Sequence, residues 1–485
     1  MMDTSVTGRS MESGKESGNR RAEWLQPAVL AVTGLALYLF ELGKGALPDW
    51  DSAIYAEVTR EMLAGHHWLT PYWNFHPFFE KPPLLYWSQM VTFRLFGIGE
   101  FAARLPSALA GVGTLLLVYG IVRRMAGRGA AWFAALVLLS TRYFYHWSRE
   151  GTTDALLCFC IYLTVYGYVR MREGDGRWFW LLCAGLGLGV LAKGPAEFVA
   201  PMAIGVDWLL QGRKRLLTLR EFWLGVLVLA VIAVPWHLWM VVHYGWGYVQ
   251  DYLGYQILAR TSRPLQGNSG GLLYYFPVLW AGAAPWCLLG VWALARRVWK
   301  RDGEFLLPWL LMGVTLGLYT VVETKLRWYI VPMYPALAME VGRLLEMWNR
   351  RWRAVSYAVG LAVVVFIGGA CWKRSVWPGL PTANAERQLA LAVRAHGDAG
   401  PLIVVGESGP ESVLDVPTAL FYSRREVVWQ QLPDDLSGLE SAVKTYPAVD
   451  VILLKTTAER LGQRFVVRPV EESGEVELAR VSRKP

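Results

Sequence analysis

From about residue 25 to residue 372 the chain alternates between long apolar runs and short polar connections. The runs lie near 25–47, 104–122, 129–147, 154–169, 178–192, 195–210, 221–242, 272–295, 305–322, 328–345 and 354–372. A helix needs about 20 predominantly apolar residues to cross a bilayer. The pattern therefore predicts a mainly α, polytopic membrane helix bundle with about eleven transmembrane helices. The runs 178–192 and 195–210 are short for a crossing, and Lys193-Gly194-Pro195 between them predicts a bent hairpin. Residues 1–22, rich in Gly, Ser and charge, predict a disordered lead.

Beyond residue 373 the pattern shortens. Strand-like runs at Leu402–Val405, Val449–Leu454, Phe465–Val470 and Glu475–Val481 accompany helix-like stretches near 384–396 and 436–446. They predict a small C-terminal α/β domain over 373–485. Its Gly406-Glu407-Ser408-Gly409-Pro410 has the look of a phosphate loop, but the Lys-Ser/Thr of a Walker motif does not follow, so a plain turn is expected.

Charge sets the topology. The formal net charge is +9, which in a soluble protein would suggest a nucleic-acid partner. Here the cations cluster in every second connection instead: Arg123-Arg124-Arg128, Arg170-Arg172, Arg213-Lys214-Arg215, Arg296-Arg297-Lys300-Arg301 and Arg350-Arg351-Arg353, with Arg20-Arg21 before the first run. That is the positive-inside signature. It predicts a cytoplasmic N-terminus and, after an odd number of crossings, an extracytoplasmic C-terminal domain. Twenty-five Trp and 22 Tyr suit long membrane–water boundaries. The five cysteines show no C-x-x-C spacing and read as small apolar residues, and the seven histidines make no zinc signature.

The opposite connections gather ionisable residues of both signs. The 48–103 segment holds Asp51, Glu57, Glu61, Glu80, Lys81, Arg94 and Glu100. Others supply Arg149, Glu150 and Asp154, then Lys193 and Glu197, Asp251 through Arg263, and Glu323, Lys325 and Arg327. A transporter or flippase for a lipid-linked sugar, the rival reading, would place such residues at mid-span. An outward-facing interfacial site fits better. Helical spacing puts Asp51, Tyr55, Val58 and Met62 on one stripe, which predicts an amphipathic helix on the membrane surface. Asp51 in its first turn is compatible with a helix cap or with chemistry. Lys81, before two prolines and among aromatics, suits a lipid phosphate or a snorkelling lysine.

Trp50-Asp51, Tyr55-Ala56-Glu57, Arg60-Glu61-Met62-Leu63, Glu80-Lys81-Pro82-Pro83, Tyr86-Trp87 and Ala103-Arg104-Leu105-Pro106-Ser107 follow one another in order. Thr153-Asp154, Ala192-Lys193-Gly194-Pro195, Pro235-Trp236, Tyr274-Tyr275, Thr324-Lys325 and Tyr329-Ile330-Val331-Pro332-Met333-Tyr334-Pro335 continue the series. The series resembles the bacterial 4-amino-4-deoxy-L-arabinose transferases of lipid A, which belong with the protein O-mannosyltransferases to the GT-C membrane glycosyltransferases. It covers residues 25–345.

The resemblance implies a multi-pass enzyme of the bacterial inner membrane that takes a sugar from undecaprenyl or another polyprenyl phosphate. The acceptor would be a lipid A-like lipid or a glycan, with a protein acceptor as the alternative. It implies Asp51 and Asp154 as catalytic carboxylates, Lys81 at the donor phosphate and Tyr329 near it; the need to stabilise a leaving phosphate adds Lys193, Lys325 and either Arg260 or Arg263 as candidate clamp cations. Tyr55, Glu57, Glu80 and Tyr86 would support them. No nucleotide is required, no metal ligand is assigned, and a divalent ion stays open. Two departures stand out: Ser52 follows Asp51 where many relatives carry an acid, and no histidine occurs between Gln256 and Gly270.

Overall fold

The computed structural model describes residues 24–47, 51–211, 218–265, 267–300, 305–376, 381–396, 400–407, 416–432 and 436–484. The expected lead over 1–22, Trp50, the Arg213-Lys214-Arg215 cluster, Arg301 and positions 408–410 of the expected turn lie outside them.

The helical part begins with α1 (Trp24–Leu39) and α2 (Asp51–Ala64). A two-stranded hairpin, β1 (Tyr72–Trp73) and β2 (His76–Pro77), precedes α3 (Leu84–Phe96). Then come α4 (Glu100–Ala126), α5 (Arg128–Leu139), α6 (Arg142–Trp147), α7 (Thr153–Arg172), α8 (Phe179–Lys193) and α9 (Val199–Leu210). After α10 (Leu219–Val249) come a π-helical stretch (Gln250–Ala259), the short α11 (Arg260–Ser262), α12 (Tyr275–Ala283), α13 (Trp286–Lys300) and α14 (Leu307–Val321). Last are α15 (Met333–Asn349) and α16 (Ala354–Val376).

Every apolar run of the sequence holds helix. By length and apolarity alone, however, five stretches among the described residues could cross a membrane: Glu100–Ala126, Thr153–Arg172, Gly176–Leu210, Leu219–Ser262 and Ala354–Arg374. The run expected as one crossing at 272–295 is instead two helices, α12 and α13, bent by 115°. Counted as one span they make six, beside the shorter apolar helices α1, α5 and α14. The chain is a multi-pass membrane protein.

Polar contacts pin the helices at both ends. Near one end the Tyr168 hydroxyl donates to Asp207 Oδ2 at 2.7 Å, with Arg172 3.1 Å from the same oxygen. Near the other, Lys193 meets Asp154. These contacts run α8 back along α7 and return α9 beside it, so 178–210 is a hairpin bent at Gly194. The turn after α1 is held by arginines: Arg104 donates to the carbonyls of Leu42 (3.0 Å), Gly45 (3.1 Å) and Ala46 (2.7 Å), and Arg149 to those of Leu37 and Phe40.

One expectation is overturned. The stripe Tyr55, Val58 and Met62 of α2 packs on Leu85, Tyr86 and Met90 of α3 rather than on lipid. The opposite face, Ala53 and Ala56, packs on residues of the C-terminal part. Small alanines let that second layer approach, and Ser52 through Met62 are buried apart from Ile54. The helix is thus covered by protein on both faces and does not turn its apolar stripe to lipid.

The C-terminal part comprises α17 (Pro381–His396), β3 (Leu402–Glu407), α18 (Val416–Ser423), β4 (Val427–Leu432), α19 (Ser437–Thr445), β5 (Val449–Leu454), α20 (Lys455–Leu461), β6 (Phe465–Ser473) and β7 (Val476–Arg483). The sheet order is β4-β3-β5-β7-β6; β3 runs parallel to both neighbours, and β7 antiparallel to both of its own. Strand alternation sends Leu402, Val404 and Ile452 to one face with α17 and α18. Ile403, Val405, Val451 and Leu453 face α19 and α20. The first face continues into Leu47, Ala53, Ala56, Phe93 and Ala103 of the helical part, so the two parts share one apolar cluster.

Polar contacts fix that junction. Asn74, in the two-residue turn of the β1–β2 hairpin, donates to the Val427 carbonyl at 3.0 Å and accepts from its N–H at 3.1 Å. Both turn residues, Asn74 and Phe75, have positive φ (52° and 64°), as the tight hairpin turns that match strand twist require. The Tyr422 hydroxyl donates to Glu100 Oε1 at 3.0 Å, and Arg387 reaches the same carboxylate at 2.9 Å.

Candidate functional site

The site forms where the first turn of α7, the last turn of α8, the loop before α3 and the segment before α15 converge. Ser107 of α4 donates to the Thr152 carbonyl at 2.9 Å and thereby seats the start of α7. Asp154, in that first turn, is 2% exposed. From the end of α8, Lys193 Nζ reaches Asp154 Oδ1 at 2.5 Å and stands 5.5 Å from the centre of the Tyr329 ring. Gly194 makes the bend: its φ is +60°, and a Cβ there would lie 2.2 Å from the Tyr252 hydroxyl. Any side chain would meet both backbone strain and a steric clash.

Lys81 comes from the loop before α3, with 13% of its side chain exposed and Glu80 3.7 Å away. Burial pulls its ammonium below the ordinary lysine range; the charges of Arg260 and Lys193 act in the same direction, while Glu80 and Asp51 oppose them. Those four groups therefore lie within electrostatic reach of Lys81. The guanidinium of Arg260 faces the Tyr329 hydroxyl, and the Tyr329 ring lies 4.9 Å from that of Tyr319.

Tyr55 and Tyr86 meet edge to face, centroids 6.0 Å apart. Burial raises both phenols well above their ordinary range, and nearby Asp51 and Glu80 add to it. A buried polar atom ordinarily has a partner. Here the hydroxyls of Tyr55 and Tyr86, Asp154 Oδ2, Arg260 Nε and the Gln256 amide have none among the described residues. Three cations and three carboxylates thus meet beside unmatched donors and acceptors. A polar, anionic ligand would satisfy them. Among the described residues no three His, Cys, Asp or Glu side chains converge as metal ligands would.

The structure brings together Asp51, Tyr55, Glu80, Lys81, Tyr86, Asp154, Lys193, Arg260 and Tyr329. It does not bring two others. Glu57, six residues after Asp51, is turned about 240° round α2. Its carboxylate is held by Arg60 at 2.5 and 2.6 Å beneath the C-terminal part. Lys325 donates to the carbonyls of Tyr319 (3.2 Å), Thr320 (2.5 Å) and Val322, closing the end of α14 as a cation does at a helix C-terminus. Tyr252, whose hydroxyl crowds the bend at Gly194, and Tyr319, which packs on Tyr329, are not among the sequence candidates; neither carries a local signal.

Residues 80–239 match the family of dolichyl-phosphate-mannose-protein mannosyltransferases. An undecaprenyl phosphate-alpha-4-amino-4-deoxy-L-arabinose arabinosyl transferase of Edwardsiella ictaluri is 28% identical over 360 residues, 72% of this chain and 64% of that one. The chain thus spans under two thirds of that relative's length. ArnT from Cupriavidus metallidurans, solved bound to undecaprenyl phosphate, is 20% identical with a TM-score of 0.74 and covers 94% of this chain and 98% of its own. The oligosaccharyltransferase of Archaeoglobus fulgidus is 12% identical with a TM-score of 0.58, over 88% of this chain and 69% of its own. The chain has the GT-C fold and resembles the aminoarabinose transferases in sequence.

Proposed function

We propose that this chain is a polyprenyl-phosphate-dependent glycosyltransferase of the bacterial inner membrane, moving one sugar to a lipid A-like lipid or a glycan. The carrying observation is the Asp154–Lys193 pair beside Lys81 and Arg260, with Asp154 Oδ2 and two tyrosine hydroxyls unmatched. Lys81, Arg260 and Lys193 hold the carrier phosphate, and Tyr329 lies against two of these cations. In the reaction the bond from the anomeric carbon to the phosphate oxygen breaks, and its electron pair leaves with the phosphate. The acceptor oxygen bonds to that carbon. The cations stabilise the charge growing on the leaving phosphate, where preorganised donors contribute most.

Asp51 takes the proton of a hydroxyl acceptor as general base. If the acceptor is an already ionised phosphate, Asp51 orients it or supports positive charge on the sugar. Asp154 fixes Lys193 and offers Oδ2 to the sugar. The polyprenyl chain lies on the apolar outer surface of the bundle. In this reading eleven helices cross, the N-terminus is cytoplasmic, and both the site and an α/β domain over 373–485 lie on the outer side. Lys325 contributes by anchoring the segment that carries Tyr329, and Glu57 by fixing α2.

A protein acceptor is the second reading, favoured by the match of residues 80–239 to protein mannosyltransferases. Incubating the purified chain with labelled undecaprenyl-phosphate sugars, and with a lipid extract or a peptide pool, tests both. Label in a lipid or glycan product supports the first reading, and label in peptide supports the second. No transfer from any polyprenyl-phosphate sugar, by folded protein, overturns the proposal.

A further inference from the structure

At the far end of the bundle from Lys193, two adjoining cavities of about 210 and 40 Å³ share Arg343 and Met347 as walls. They are built from the last turns of α4, α13 and α15 and the first of α5. Seventeen residues of α15 separate that end from the Tyr329 segment, about 25 Å at 1.5 Å per residue. Among the described residues the cavities are lined by Arg296, Arg297, Lys300, Arg343 and Arg350 together with Glu340 and Glu346. Both carboxylates are engaged locally: Glu346 pairs with Arg350 at 3.1 Å and Glu340 with Arg343 at 3.9 Å. Gly129 lets Glu346 lie against the start of α5, where a Cβ would meet its carboxylate oxygen at 2.3 Å. Arg296 and Lys300 have no carboxylate within 4.0 Å among the described residues.

Beside these cations α13 turns an exposed apolar face outward: Leu288, Val291, Trp292, Val298 and Trp299, the last 86% exposed. A basic recess at the end of a membrane helix, next to an apolar lipid-facing stripe, matches a lipid with an anionic head and two tails. The geometry points to a binding site for the phosphodiester headgroup of an anionic phospholipid in these cavities, with its acyl chains along α13. The site is separate from the donor site and rests only on the chain spanning a membrane.

The test uses the full chain, purified and stripped of lipid in detergent. Native mass spectrometry and melting temperature are followed on adding dioleoylphosphatidylglycerol, dioleoylphosphatidylcholine or inorganic phosphate. Phosphatidylglycerol should bind and raise the melting temperature; the other two should do neither. The double variant Arg296→Gln/Lys300→Gln changes two exposed side chains, so it should fold, and it should bind phosphatidylglycerol on the order of fivefold more weakly per cation removed. Arg350→Gln, also exposed, provides the same reading from α15. Equal effects of phosphatidylcholine, equal effects of free phosphate, or unchanged affinity in both variants would each overturn the site.

Discussion

Lys193 Nζ lies 2.5 Å from Asp154 Oδ1, tying the last turn of α8 to the first turn of α7 with 12% and 3% of the two side chains exposed. Removing one partner of such a buried pair costs about 3–5 kcal/mol, whereas replacing both is far milder. Asp154→Asn and Lys193→Met should each lower the melting temperature and abolish transfer. The double variant should recover much of the stability and none of the transfer. Thermal melts set beside turnover separate the outcomes, and recovered turnover in the double variant would make the pair purely structural.

Lys81 should show the opposite balance. Its folded pKa lies below the ordinary lysine value, so the unfolded chain binds that proton more tightly. The resulting cost to stability is fully present below the folded pKa and disappears as pH rises to the unfolded value. Lys81→Met should therefore keep or raise the melting temperature at neutral pH. It should also lose on the order of a hundredfold in kcat/KM, about 3 kcal/mol of transition-state stabilisation. In the unaltered protein, donor binding should weaken with alkalinity at lower pH than an ordinary lysine would give. Near-normal turnover of Lys81→Met would return the residue to a structural role.

For Asp51, Asn preserves helix capping while removing the charge and the proton-accepting ability. Asp51→Asn should lose on the order of a hundredfold or more in turnover with little change in expression or melting temperature. Turnover within a few-fold of the unaltered protein, at matched donor binding, would make Asp51 a cap and shift the search for the carboxylate to Asp154.

Asn74 carries the contact between the hairpin and β4. Asn74→Gly keeps the positive φ accessible and removes two hydrogen bonds to Val427. The expected loss is about 1–3 kcal/mol, read as faster amide exchange along 427–432 and quicker proteolysis of the C-terminal part. Unchanged exchange there would show that the apolar cluster alone secures the junction.

What the sequence disclosed follows from how local each cause is. The apolar runs are dictated by lipid, and each contains helix. The hairpin at Gly194 was legible because Lys-Gly-Pro interrupts two short runs. The strand β4 and helix α18 were missed, since their burial comes from partners hundreds of residues away, such as Asn74 and Ala53. Tyr55 and Lys81 fell in one motif series, whereas the direction of Glu57 needed the helical angle from Asp51. Lys325 sits three to six residues after the carbonyls it caps. That spacing is legible in the sequence, but so is the Thr324-Lys325 motif, which points to phosphate instead.

The enclosure of α2 has a consequence for how the protein comes to be made. The helix bearing Asp51 emerges early from the ribosome, yet α18, which covers part of its alanine face, is synthesised hundreds of residues later. Until α18 is made, Ala53 and Ala56 have only Leu47, Phe93, Ala102, Ala103 and their neighbours in the helical part to pack on. A chain stopped short of α18 would carry every residue of the lysine–carboxylate cluster and still leave that face partly uncovered. Final packing of the helix that carries Asp51 thus waits on a segment far along the chain.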